Sequence, residues 1–289
     1  MKKQKNIFFY FLIIGSICMM IYSCNIINPA ETIPSYIKID KIDFSVSPGQ
    51  GTVSSNITDA WVYIDDQPMG CYPLPAKFPV LQEGSHKISI YAGITVNGIA
   101  GARSVCPFYK PWTQTVNLVK DSVVELHPAT TYYDETKFSF IEDFEDGGLL
   151  FEKSPLSDTM IIQSLPSEAF EGTYSGIITL DNTIDTFECK TIFSYVLPKA
   201  SSPVFVEMNY KTNNEFTVGI YSNLSGYSIR AGVLVVNPSS TWRKIYINLT
   251  GAVSRENTAI DTKIFIAANK ASDVSNGVIL LDNIKLIHK

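Results

Sequence analysis

The side chains best placed for chemistry are rings and polar groups set on alternating runs. In residues 242–249, Ile245, Ile247 and Leu249 fall on one side of a strand, with Trp242, Lys244, Tyr246 and Asn248 on the other. In residues 204–211, Phe205, Glu207, Asn209 and Lys211 oppose Val204, Val206, Met208 and Tyr210. In residues 216–222, Tyr221 opposes Phe216, Val218 and Ile220. Flat rings stack on the apolar faces of pyranoses, and polar groups bond their hydroxyls. Trp242, Tyr246, Tyr221, Asn209 and Arg230 are therefore the candidate ligand-binding residues. The competing reading is ordinary strand filling, with Trp242 packed under a loop, since aromatic residues are common in strands. The run Phe108-Tyr109-Lys110-Pro111-Trp112 is a further candidate. Its prolines keep it out of a central strand, so it is either a binding tip or a cover over a core or a second domain.

Signals for catalysis are poor. Gly172-Thr173-Tyr174-Ser175-Gly176 has its Ser in the wrong place for a G-x-S-x-G elbow, and there is no H-E-x-x-H, P-loop or G-x-G-x-x-G. Glu142, Asp143, Glu145 and Asp146 crowd one turn, which is weak evidence for a glycosidase pair. His86 and His127 have no nucleophile at a motif spacing. The expectation is a protein that is not an enzyme.

The start of the chain says where the protein sits. Lys2, Lys3 and Lys5 precede an apolar run over residues 7–21, and Ser23-Cys24 follows. These are the parts of a secretory signal, and the apolar run is short for a membrane span of about 20 residues. The sequence here resembles the lipobox of bacterial lipoproteins. That resemblance implies a signal peptide over residues 1–23 and acylation of Cys24 (diacylglyceryl plus an amide-linked chain such as palmitate). Several acyl chains suffice for stable anchoring. Asn25 is not the Asp that retains many such lipoproteins in the inner membrane, so the expected place is the outer membrane, on either face.

Removing that segment leaves 266 of the 289 residues, a length for about two domains. Apolar residues make up 45% and charged ones 18%, enough for sizeable cores and too little charge for a disordered chain. Loss of the three lysines takes the net charge from −5 to −8, so nothing suggests a nucleic-acid partner. Cys18 lies in the signal, and Cys71, Cys106 and Cys189 remain beside Cys24. Export permits a disulfide, with Cys71 and Cys106 the natural pair, or both are buried free thiols. There is no C-x-x-C, and Cys189 reads as core.

Residues 24–35 hold Pro29 and Pro34 without periodicity and read as a tether. Residues 36–130 read as a small β-sandwich. Alternating strands surround the turn 65–70, and Lys120-Asp121 between two apolar runs signals a hairpin. The order Val62-Tyr63-Ile64-Asp65-Asp66, Gly70, Pro73, then Leu81-Gln82-Glu83-Gly84-Ser85-His86 resembles the PEGA-type, Ig-like extracellular β-domains, which implies a spacer or docking module. Residues 131–137 are polar and aperiodic and read as a linker.

Residues 138–289 offer strands at 175–180, 190–197, 204–211, 216–222, 228–236, 242–249, 263–268 and 278–286, which imply a jelly roll. Phe144-Glu145-Asp146-Gly147, Gly172-Thr173-Tyr174-Ser175, Trp242-Arg243-Lys244-Ile245 and Leu281-Asp282-Asn283-Ile284 follow in order. This resembles the jelly-roll carbohydrate-binding modules and their galactose-binding-like relatives. That resemblance implies a structural calcium ion held by Glu145 and Asp282, with backbone carbonyls completing an oxygen shell. The alternative is a turn cap at Asp282-Asn283 and solvated acids around Glu145.

Taken together, the chain is expected to be all-β, a small Ig-like/PEGA-like β-sandwich followed by a jelly-roll β-sandwich. It resembles Bacteroidetes-type envelope lipoproteins of that architecture. Non-catalytic glycan binding by residues 138–289 is the expected function. A structural or accessory subunit of an outer-membrane protein complex, bound to an envelope protein, is the alternative.

Overall fold

The computed structural model describes residues 32–289 together with Phe9. Cys24, most of the tether and, Phe9 aside, the signal segment lie outside the described residues. Among the described residues no helix is long and apolar enough to cross a membrane. The described chain is almost entirely β-structure, arranged as two sandwiches in succession.

The first sandwich is built from β1 (Ser35–Ile39), β2 (Asp43–Phe44), β3 (Ile57–Ile64), β4 (Gln67–Pro73), β5 (Ala76–Val80), β6 (Gly84–Thr95), β7 (Arg103–Val105), β8 (Trp112–Leu118), β9 (Val123–Leu126) and β10 (Ala129–Thr130). One sheet runs β4-β3-β6-β7, with β8 also on β6, and the other runs β5-β1-β9. Alternation explains the burial. Ala60, Val62 and Ile64 of β3, and Ile37 and Ile39 of β1, enter one shared core. The hairpin expected around Lys120-Asp121 does not form. β8 pairs with β6 and β9 pairs parallel to β1, so the turn (Asp121 at φ 57°) carries the chain from one sheet to the other. Val116 and Leu118 then meet Leu126 across the core, which a flat hairpin would not allow.

The second sandwich holds β11 (Lys137–Glu142), β12 (Phe151–Lys153), β13 (Ile162–Gln163), β14 (Gly176–Leu180), β15 (Thr186–Thr191), β16 (Val204–Thr212), β17 (Phe216–Leu224), β18 (Tyr227–Val236), β19 (Ser239–Asn248), a short helix α1 (Thr250–Arg255), β20 (Asp261–Asn269) and β21 (Gly277–His288). The inner sheet runs β13-β14-β21-β16-β19, with β11 on β21; the outer sheet runs β12-β15-β20-β17-β18. Between them lie Val206 and Met208, Val218 and Ile220, and Ile264 and Ile266. The strand expected at 190–197 is β15, four residues earlier. Thr191 Oγ1 donates to the Phe193 carbonyl at 2.9 Å, and the chain leaves the sheet with Phe193 and Val196 exposed.

The inner sheet's other face is covered. Phe205, Tyr246 and Ile287 belong to the first sandwich's core, and β16 and β21 are buried along nearly their whole length. The aromatic run closes this junction and offers no tip. Phe108 meets Phe205 edge-on at 5.5 Å, and the Tyr109 and Tyr246 hydroxyls are 3.3 Å apart. In the segment 131–137, read as a linker, Tyr132 and Thr136 are buried while Asp134, Glu135 and Lys137 are exposed.

The expected disulfide is absent: Cys71, Cys106 and Cys189 are free thiols. Cys71 pairs with Trp61 across β3 and β4, so both side chains lie on the face opposite Ala60 and Val62. Cys106 is buried in the core that those residues line. The sheet stands between the two sulfurs. Burial pushes the Cys106 and Cys189 thiols up, as inert core residues.

Candidate functional site

The five candidate ligand-binding residues separate into two places. Tyr221 of β17 and Arg230 of β18 are direct cross-strand partners on the exposed face of the outer sheet. Glu188 of β15 reaches between them. It accepts from Tyr221 Oη at 2.5 Å and from Arg230 Nε and Nη2 at 2.9 and 2.8 Å. The Arg230 guanidinium sits 4.1 Å from the Phe265 ring centroid. That ring packs against Gly219, where a Cβ would overlap both the ring and the Ala231 carbonyl. Burial works against the Glu188 charge, but hydrogen bonds from Tyr221, Arg230 and Ser154 outweigh it and hold the carboxyl below its usual range. Burial, then the bond to Glu188, raises the Tyr221 phenol. An open cleft of about 490 Å³ adjoins this group, with Thr217 and Asn269 on its wall.

The chemistry on offer is recognition. A carboxylate that only accepts, a guanidinium that only donates and a ring edge stand side by side, each fixed by the others. A carboxyl held low and locked by three donors is a poor general acid.

Trp242 and Asn209 instead line a cleft of about 590 Å³ between the two sandwiches. Trp242 of β19 lies 5.4 Å from the ring of Phe170, so the loop does cover part of it. Asn209 Oδ1 accepts from Ser54 Oγ at 2.9 Å. Tyr246 is 1% exposed, and its hydroxyl accepts from the Asn56 backbone N–H at 2.8 Å. It supports the junction and presents no ring to a ligand. Alternation placed these side chains on one face correctly, but a covering domain leaves no trace in a strand's own period.

The two residues expected to hold calcium do come together. Asp143, Glu145, Glu171 and Asp282 line one cleft of about 460 Å³, and no basic side chain lines it among the described residues. Glu145 Oε1 accepts from the backbone of Thr173 at 2.7 Å and Tyr174 at 2.9 Å, which lowers its carboxyl. Gly172, at φ 67°, is required because a Cβ would overlap Glu145 Oε1. Asp282 accepts from Ser175 Oγ and from Asn283 N, each at 2.7 Å. Burial outweighs these bonds and pushes Asp282 up to about 6. Glu171 Oε1 accepts from Asn283 Nδ2 at 2.8 Å. The donors are all hard oxygens, as calcium prefers. Among the described residues no three His, Cys, Asp or Glu side chains converge on a point, so an ion here would draw on backbone carbonyls as well.

Sequence reasoning missed Glu188 and Phe170. The alternation of β15, where Thr186, Glu188 and Lys190 oppose Phe187 and Cys189, carries the signal for Glu188. Phe170 sits in a loop, where no period applies.

No protein-family model and no curated protein matches the chain. Among solved structures, it is similar to a carbohydrate-binding module of the β-sandwich superfamily. The identity is 18% and the TM-score 0.38, over 89% of this chain and 99% of that one. It is similar to CBM29_1, a family 29 carbohydrate-binding module from Piromyces equi, at 16% identity and TM-score 0.36, over 54% and 92% of the two chains. It is also similar to the enzymatically active domain of bacteriophage CBA120 tailspike protein 4, at 9% identity and TM-score 0.37, over 50% and 20%. With TM-scores below 0.5, these likenesses carry no argument for a role.

Proposed function

We propose that this protein is a non-catalytic glycan-binding lipoprotein of the outer membrane, held there by acyl chains on Cys24. Glycan contact falls to the exposed face of the outer sheet. One observation carries the reading: Tyr221, Glu188 and Arg230 fix one another beside an open cleft. Preorganised polar groups next to a ring are what sugar recognition needs, because little entropy is lost on binding. A calcium ion at Glu145 and Asp282 ties the turn after β11 to β21 and stabilises the sandwich without taking part in sugar contact. The test is a glycan-array screen of the full chain in detergent, with Arg230→Ala alongside. Specific retention that the variant loses supports the reading; a blank array, or retention indifferent to Arg230, rejects it.

The accessory-subunit reading has its own observation. Phe193, Val196 and Ile260 are exposed near one another, where Tyr195 bridges Thr262. Cross-linking in intact cells that captures one envelope protein, with a blank glycan array, would favour it.

A further inference from the structure

We propose that the cleft between the two sandwiches is a second binding site, for a saccharide unit that carries a negative charge. The cleft is built by both halves. Ser54, Asn56 and Arg103 come from the first sandwich, and Asn209, Trp242 and Arg243 from the second. Its lining includes three basic residues, Arg103, Arg243 and Lys244, and no carboxylate among the described residues. The protein as a whole is acidic, at net charge −5, so composition does not account for that concentration of one sign.

Two of the three cations have internal partners, and their arrangement matters. Arg103 Nη1 is hydrogen-bonded to Asp59, which is fully buried behind it, while the Arg103 side chain stays 41% exposed. Asp59 therefore anchors the guanidinium and leaves its remaining donors for a ligand. Lys244 Nζ is buried 3.6 Å from Glu207 Oε2 and has no hydrogen-bond acceptor among the described residues. Arg243 is exposed and carries no ion pair among the described residues. A guanidinium presents parallel N–H donors that match the paired oxygens of a carboxylate or a sulfate.

The rest of the lining fits a sugar. Trp242, backed by Phe170, offers a ring for a pyranose face. Ser54, Asn56 and Asn209 offer hydroxyl and amide groups for its hydroxyls. The volume, about 590 Å³, suits a short stretch of saccharide. This site shares no residue with the outer face, so either can fail without the other.

Calorimetric titration of the full chain in detergent micelles tests it, using trigalacturonate, a chondroitin sulfate tetrasaccharide and neutral galactotriose. At least one charged saccharide is expected to bind more tightly than galactotriose and to weaken as sodium chloride rises from about 50 to 500 mM. Arg243→Gln, a change at an exposed position, is expected to weaken that binding at least tenfold, as is Trp242→Ala. Lys41→Gln, which removes one positive charge elsewhere, is expected to leave it unchanged. Preference for trigalacturonate shows that carboxylates suffice, and preference for the chondroitin sulfate, which carries uronate carboxylates as well, shows that sulfate adds to recognition. Equal affinity for the neutral sugar, binding indifferent to Arg243→Gln, or no binding of either charged saccharide overturns the proposal.

Discussion

Tyr132, from the segment joining the two sandwiches, donates its hydroxyl to Glu207 Oε2 of β16 at 3.0 Å. Both groups are buried, and Glu207 Oε1 has no donor among the described residues. A buried carboxylate with one neutral hydrogen bond and an offset ammonium is underpaired, so each partner it has matters more than a surface bond would. Tyr132→Phe is predicted to cost about 2 kcal/mol. The readout is the urea midpoint. A single transition at lower urea is expected, because Phe205, Tyr246 and Ile287 still knit the two cores together. A midpoint equal to wild type would refute the assignment.

Lys285 gives the junction a dependence on pH. It is 0% exposed, with Nζ donating to the Thr52 carbonyl at 3.0 Å, and burial pushes it down to about 8 from 10.5. Between those values the unfolded chain holds a proton that the folded one has released. Stability therefore rises with pH across about 8 to 10.5, and the gain is lost as pH falls through 8. The full difference is on the order of 3 kcal/mol. Lys285→Met should flatten the profile by that amount. A variant profile parallel to wild type between pH 7 and 10 would exclude Lys285 as its source.

On the outer sheet, Glu188→Gln tests whether preorganisation matters. The amide keeps the size but loses the ionic bonds that hold Arg230 and Tyr221. Glycan affinity is expected to fall roughly tenfold, and the melting temperature is expected to fall as well, since Glu188 is buried and the change weakens its pair with Arg230. Because the Glu188 carboxyl is held below its ordinary 4.5, wild-type retention should persist at pH 5. Loss of retention between pH 7 and 5 would count against this face.

Much of the fold was legible because strands announce themselves by period two. Seven of the runs read in residues 138–289 coincide with β14 and β16 to β21 to within a few residues. β15 was displaced because Ile192, Phe193 and Val196 are apolar yet exposed, and composition alone cannot tell an apolar excursion from a strand. The faces of β16 and β19 were also read correctly. What covers them was not, because Tyr246 meets Tyr109 across a sequence separation of 137 residues and no local pattern encodes that contact. Between a Cys71–Cys106 disulfide and free thiols the sequence left the choice open for the same kind of reason. Shared membership of a domain says nothing about which face of a sheet each thiol occupies.

The acidic cleft supplies the remaining prediction. Four carboxylates line it without a base among the described residues, and Asp282 is held there at a cost in charge, as its upward shift to about 6 records. A divalent cation would relieve that cost, and it would bind only the folded chain, since Glu145 and Asp282 are 137 positions apart in sequence. At calcium a hundredfold above its dissociation constant, the stabilisation would be about 2.7 kcal/mol. For a sandwich of this size that corresponds to a rise in melting temperature of roughly 5–10 °C. Asp282→Asn should abolish the calcium response. Without calcium it should melt close to wild type, because the amide no longer buries a charge but its single oxygen keeps only one of the bonds from Ser175 and Asn283. Magnesium should give a smaller shift, as it demands octahedral geometry that a turn of mixed carboxylates and carbonyls does not offer. If wild type melts at the same temperature in calcium and in chelator, Glu145 and Asp282 are turn caps, and the hydrogen bonds they already make are their whole role.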